Sequence, residues 1–192
     1  MRQQLLDSTG LQEIVDAIAE KIFTGTEATK RLALVGVHTR GVPLAERIGK
    51  YLLDKGRTIE IGTVDVILYR DDFSTAGKLS QIKGTEIPFD IDDAEIILCD
   101  EVLFTGRTIR AAIDSLMDYG RPSRIRFATL VDRGHRELPI QADFVGMTLE
   151  TTKDDYVEVR FRETDPEEGV WKIEVSGSKV PTTNDETLKP ET

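Results

Sequence analysis

The stretch EIILCDEVLFTGRTIRAA, residues 95–112, decides the fold. EIILC carries the apolar residues Ile96, Ile97, Leu98 and Cys99 in a row and reads as a buried strand. Asp100-Glu101 follow, then Thr105-Gly106-Arg107-Thr108. TIRAAIDSLMDYG (108–120) places Ile109, Ala112, Ile113 and Leu116 on one helical face, with Gly120 as a C-cap. A buried strand, a small polar turn and a helix make one unit of an open α/β sheet. Ligands of such sheets bind outside the carboxyl ends of the strands. There the first N–H groups of the helix are unpaired and the helix dipole is positive. Gly106 allows close approach of the backbone, so 105–108 read as a phosphate cup. It is not a Walker loop, because no G-x-x-x-x-G-K-[ST] is present. Carboxylates beside a phosphate cup fit a ligand that also carries hydroxyls, such as a sugar phosphate. They also fit one that develops positive charge at its anomeric carbon.

The flanking sequence repeats the pattern. STGLQEIVDAIAEKIF (8–23) is an amphipathic helix with Leu11, Ile14, Val15, Ile18 and Ile22 on one face, and Thr9 with Gln12 forms a capping box. RLALVGV (31–37) reads as a buried strand, HTRG follows, and a second helix runs from 42 to 53 and stops near Gly56. TIEIGTVDVILYR (58–70) is rich in β-branched residues and reads as a strand. Residues 71–86 are polar, contain glycine and lack periodicity; loops of that length inside a domain are functional or disordered. RIRFATLVD (124–132) is a strand, and shorter strands are expected at 143–149, 155–163 and 171–175. Residues 176–192 read as a polar, disordered tail. With no repeat and no linker, 1–175 form a single domain. Alternating helices and buried strands predict an α/β fold with a central, mostly parallel sheet flanked by helices. The helix-poor C-terminal part adds antiparallel strands at an edge.

Composition narrows the function. A net charge of -10 argues against broad non-specific nucleic-acid binding, which rests on basic patches. The N-terminal MRQQLLDSTG has no apolar leader, and no run approaches a membrane span. One cysteine, Cys99, excludes an internal disulfide and fits a reducing cytoplasm. Cys99 lies on a buried strand and reads as a core thiol.

IILCDEVLFTGRT resembles the 5-phosphoribosyl-1-pyrophosphate (PRPP) motif of type I phosphoribosyltransferases. VGVHTRGVPLAERI, DVILYRDD and LVDRGHRELPI resemble the PyrR family, which combines uracil phosphoribosyltransferase activity with control of pyrimidine-operon mRNA. The resemblance covers roughly residues 6 to 163. It implies the type I phosphoribosyltransferase fold with a small hood. It implies the reaction of uracil with PRPP to give UMP and pyrophosphate, and a homodimer or higher homo-oligomer. Mg²⁺ is expected to arrive with PRPP, with no direct protein ligand.

Residue by residue, the resemblance places Asp100 and Glu101 on the ribose hydroxyls. The family often has Asp at the second position, and Glu101 is one methylene longer. Val102, Leu103 and Phe104 make the apolar link, and Thr105, Gly106, Arg107 and Thr108 take the 5′-phosphate. Thr39, Arg40 and Gly41 match the pyrophosphate loop, where relatives often hold a non-proline cis peptide; His38 shapes that loop. Arg70 opens a polar segment that would close over PRPP. Arg133 and the backbone near Val157 would read the uracil edge. His135 either lies near the base or an RNA-facing surface, or caps its own loop. The group that takes the uracil N1 proton is not identified. A phosphoribosyltransferase for another base would keep the motif but leave DRGHRELP without meaning. The regulatory role needs a basic face. Where relatives carry basic residues, this chain has Glu13, Asp16, Ala17 and Glu20 on the first helix, then Gln141 and Met147. Enzyme activity is therefore expected, with pyrimidine-operon mRNA bound weakly.

Overall fold

The computed structural model describes residues 1–28, 30–69 and 84–174. Its centre is a five-stranded sheet of order β3-β2-β4-β5-β6, parallel at every pairing. The strands are β2 (Leu32–Val37), β3 (Glu60–Val64), β4 (Glu95–Leu103), β5 (Arg124–Asp132) and β6 (Phe144–Thr148). Successive side chains of a strand point to opposite faces. The apolar runs therefore feed two cores. Leu32, Leu34, Ile97 and Cys99 pack on one side, and Ala33, Val35, Ile96 and Leu98 on the other. Helices α1 (Ser8–Gly25) and α2 (Gly41–Asp54) cover the first face, and α3 (Arg107–Met117) the second.

Several local expectations change. The cap of α1 is Asp7, whose carboxylate accepts from Gly10 N–H at 2.9 Å; Thr9 already lies inside the helix, and Gln12 bonds Asp16 instead. The strand expected over 58–70 stops at Val64. The Asp65 carboxylate accepts from Ile67 N–H at 2.9 Å, an Asx-type bond that turns the chain into a short 3₁₀ helix, Ile67–Tyr69. Helix α3 ends at Met117, capped by Asp118. Gly120 is no C-cap; it lies where a side chain would strike Asp92 and Ile91.

The first strand of the helix-poor C-terminal part, β6, extends the central sheet at its edge, but in parallel; the strands after it do not join that sheet. They belong to a separate three-stranded antiparallel sheet, the hood, of order β1-β8-β7. Strands β7 (Tyr156–Arg160) and β8 (Gly169–Ile173) were expected, but β1 (Arg2–Leu6) was not. The hood is fastened to the domain at Phe161, which is fully buried in the first core beneath the Arg47 guanidinium, 5.1 Å from the ring centroid. Arg47, on α2, also bonds Glu163 at 2.8 Å and reaches Glu168. No helix among the described residues is long and apolar enough to cross a membrane. The tail 176–192 lies outside the described residues.

Phe161→Ala should cost about 3–5 kcal/mol, the range for truncating a buried aromatic. Denaturant unfolding followed by tryptophan fluorescence measures it, because Trp171 lies in the hood strand β8.

Candidate active site

The site forms at the carboxyl ends of β2, β4 and β5. Strand β4 runs on through the carboxylates: Asp100, Glu101, Val102 and Leu103 are its last residues rather than a loop beyond it. Asp100 is 6% exposed, lies beside Thr129 of β5 and accepts from Glu101 N–H at 3.1 Å. Glu101 and Val102 are half-buried, while Leu103 belongs to the second core. A cavity of about 450 Å³ opens in front of this strand end. Its walls include Asp100, 102–109 and Glu137, so the predicted phosphate cup and the buried carboxylate share one space. Gly106 is the N-cap of α3 with φ +92°, a left-handed conformation that glycine adopts freely. Arg107 bonds Glu137 at 2.8 Å.

The loop after β2 comes against β4 from the side. His38 N–H donates to Val64 O at 2.9 Å, and the His38–Thr39 peptide is cis, as the resemblance implied. Gly41 begins α2 directly on the Cys99 carbonyl, where a Cβ would overlap the oxygen. This close approach sets Thr39, Arg40 and Gly41 beside Asp100. Burial pushes the Cys99 thiol up from its ordinary value, in keeping with a core residue.

Arg40 is held from above. Its Nε and Nη2 donate to Asp165 at 3.0 and 2.7 Å. Asp165 also accepts from Thr164 Oγ1 at 2.8 Å and from Phe161 N–H at 3.3 Å. The Arg40 bond, aided by these donors, holds the Asp165 carboxyl down at about 2, and Asp165 in turn keeps Arg40 above its ordinary value. The sequence gives no sign of this partnership, because the residues stand 125 apart.

Arg133 is 5% exposed, and its guanidinium carbon lies over the Phe104 ring, 4.1 Å from the centroid. Its Nε and Nη2 donate to Thr151 Oγ1 and Thr152 O at 3.3 and 2.8 Å. Burial lowers its pKa from the usual arginine value. His135 meets the Phe104 ring edge-on and its Nε2 bonds Thr151 O at 2.7 Å, which ties its loop to the chain between β6 and β7. That chain leads into β7, where Val157 packs half-buried on the first core with Val102. A second cavity of about 650 Å³ is walled by residues 132–136, Gln141, Ala142 and 148–151. Arg133 lines this cavity and Phe104 lines the cup cavity, so their contact joins the two walls. Arg70 and residues 71–83 lie outside the described residues.

A family model described as the phosphoribosyl transferase domain matches residues 1–165. The bifunctional protein PyrR of Thermus aquaticus is 45% identical over 178 residues, covering 92% of this chain and 98% of its own. That of Deinococcus radiodurans is 48% identical over 162 residues, 84% and 88% of the two chains. The chain belongs to the PyrR family of phosphoribosyltransferases. Solved structures share the fold at much lower identity. A hypoxanthine-guanine phosphoribosyltransferase from Bacillus anthracis has a TM-score of 0.66 at 15% identity, over 89% of this chain and 97% of that one. The Leishmania tarentolae enzyme in complex with GMP has a TM-score of 0.66 at 14% identity, over 89% and 95%.

The outer face of α1 carries the acidic residues named above. Glu13 and Ala17 are exposed, and Glu20 accepts from Tyr51 Oη at 2.7 Å. Gln141 is exposed at the rim of the second cavity, while Met147 is half-buried against the first core.

The Arg40–Asp165 pair sets a pH signature. Because the folded pKa of Asp165 is depressed, its contribution is complete above the unfolded value of about 4 and is lost as pH falls toward 2. The stability gap between wild type and Asp165→Asn should be constant from pH 7 to 5 and close below pH 4. Urea titrations across that range measure it.

Proposed function

We propose that this protein transfers the 5-phosphoribosyl group of PRPP to uracil, giving UMP and pyrophosphate. The observation that carries the reading is the convergence of the buried Asp100, the cup at 105–108 and Arg40 on one strand end. The cup takes the 5′-phosphate through the N-terminal amides of α3 and the threonine hydroxyls. Asp100 and Glu101 accept from the ribose hydroxyls. As the bond from C1 to pyrophosphate breaks and the bond to uracil N1 forms, these carboxylates face the positive charge that grows on the ribose. Arg40 and the backbone at Gly41 meet the leaving pyrophosphate. Arg133 and the backbone around Val157 hold uracil, behind the Phe104 ring.

Among the described residues, no group of three or more His, Cys, Asp or Glu comes together as a metal cage. The carboxylate of Asp100, which lines the cup cavity, is a donor that suits a hard cation held mainly by substrate oxygens. Bound with PRPP, Mg²⁺ would supply charge neutralisation for the pyrophosphate, held by substrate oxygens and water rather than by a protein cage.

Purified protein should make UMP from uracil and PRPP with Mg²⁺, and EDTA should abolish it. Asp100→Asn should lower turnover by about 10²–10³-fold, the scale for losing one aligned electrostatic partner of a transition state. Its thermal midpoint should stay near that of wild type. A chromatographic assay for UMP beside a melting curve decides both, and full activity in the variant would remove Asp100 from the mechanism.

A second reading, control of pyrimidine-operon mRNA, is supported by the word bifunctional in the names of the relatives. RNA affinity depends on cations that neutralise phosphates. Glu13, Asp16 and Glu20 on α1 work against it, as does the net charge of -10. A gel-shift titration with a pyrimidine leader hairpin and UMP should show weak binding that disappears at physiological salt. Tight, sequence-specific binding under those conditions would give the protein a second activity on another surface.

A further inference from the structure

The segment DRGHRELPI (132–140) is a hallmark of the family resemblance, yet only Arg133 enters the reaction above. The rest of it lies behind the phosphate cup. Arg133 N–H donates to Leu103 O at 3.1 Å. Arg136 Nη1 donates to Phe104 O at 2.8 Å. The amides of Glu137 and Leu138 both donate to Thr105 O, at 3.0 and 3.2 Å. Successive carbonyls of the cup are thus turned inward onto this segment. Beneath Gly106, Ile140 and Leu138 leave little room, with their Cβ atoms 3.3 and 3.5 Å from where a glycine Cβ would stand.

The only cis peptide among the described residues is His38–Thr39, so the peptides of the cup are trans. In a trans peptide the C=O and the N–H of the next residue point in opposite directions. A Phe104 carbonyl fixed inward sends Thr105 N–H outward, and a fixed Thr105 carbonyl does the same for Gly106 N–H. We propose that Arg136 is a positioning residue for the 5′-phosphate: its guanidinium pins the Phe104 carbonyl and thereby aims the amides of the cup at the anion. The inference rests on the reading that 105–108 hold a phosphate.

Arg136 is built for this task. Its Nη1 also donates to Gly134 O and its Nε to Ile140 O, both at 3.0 Å, while its Nη2 pairs with the Asp132 carboxylate. Asp132 also accepts from Gly134 N–H at 3.0 Å. Burial pushes the Asp132 carboxyl up, but Arg136 and that N–H outweigh it and hold it below its ordinary value. The planar fork spans several carbonyls at once. A lysine keeps the charge beside Asp132 but cannot make that span. The same bonds commit the Arg136 donors within the chain, which separates this arginine from one displayed on a surface for nucleic acid.

The test is Arg136→Lys, examined by calorimetric titration with ribose 5-phosphate and, separately, with pyrophosphate, and by steady-state kinetics of UMP formation. Loss of one charge-assisted bond behind the cup should weaken ribose 5-phosphate about tenfold. Pyrophosphate binding should be unchanged, and KM for PRPP should rise while kcat moves little. Equal weakening of both ligands, ribose 5-phosphate affinity within about twofold of wild type, or a lysine variant that does not fold would each overturn the proposal. The third result would show that the guanidinium serves the fold rather than the cup. Wild-type protein that binds ribose 5-phosphate yet makes no UMP would sink the uracil reading and leave the role of Arg136 intact. Wild-type protein that does not bind ribose 5-phosphate would overturn both.

Discussion

The structure depends on one close approach: the backbone at Gly41 lies directly on the Cys99 carbonyl of β4, with no space for a side-chain carbon. Gly36, one strand over, makes the matching concession, since a Cβ there would stand 2.5 Å from Val42 Cα. Helix α2 can begin hard against the sheet only because both positions are bare. That contact brings the 38–41 loop beside Asp100, at the strand end that also carries the 105–108 turn. Any larger residue would lift α2 off the sheet and carry Arg40 away from the carboxylates.

The second organising element is electrostatic, and it resolves the contradiction between an acidic chain and a site for anions. In the turn after β7, Glu163, Asp165 and Glu168 hold Arg40 and Arg47, and Glu167 pairs with Arg2 and Arg160. These carboxylates orient arginines. Cations near the ligand space are thus fixed by acids behind them: Asp165 behind Arg40, Asp132 behind Arg136, Glu137 behind Arg107. A guanidinium already locked in place loses less rotamer freedom when a ligand arrives.

What could be read from the sequence was what is contiguous in it. Residues 95–112 carry strand, carboxylates, cup and helix in one piece, so their order and their place at a strand end were legible. The parallel sheet followed from the apolar runs within 31–37 and 95–99 and from the strand at 124–132, alternating with helices. Strand β1 was not legible, because RQQLL shows no alternation and becomes a strand only by pairing with β8. The early stop of β3 hinges on one Asp65 side-chain bond. The Asp165 partner of Arg40 and the Phe104 carbonyl that Arg136 reaches lie on chain segments brought together by folding, and no local pattern announces them. Arg70 and most of the polar loop stand outside the described residues, so the sequence remains the guide there.

The pairing of β1 with β8 sets an order of events in the making of the protein. Arg2 lies opposite Ile173, and the Met1 ammonium donates to Glu174 O at 2.6 Å. Everything in the central sheet is present once residue 148 has been synthesised, whereas β1 must wait for the last strand before it has a partner. Contacts so distant in sequence form late, because loop closure must precede them. A chain still emerging from the ribosome can therefore hold a finished sheet, with the cup at its end, while Arg40 has no Asp165 to hold it. The hood is a roof that goes on after the walls, and the 38–41 loop takes up Asp165 as its electrostatic partner only once β7 and the turn after it have been made.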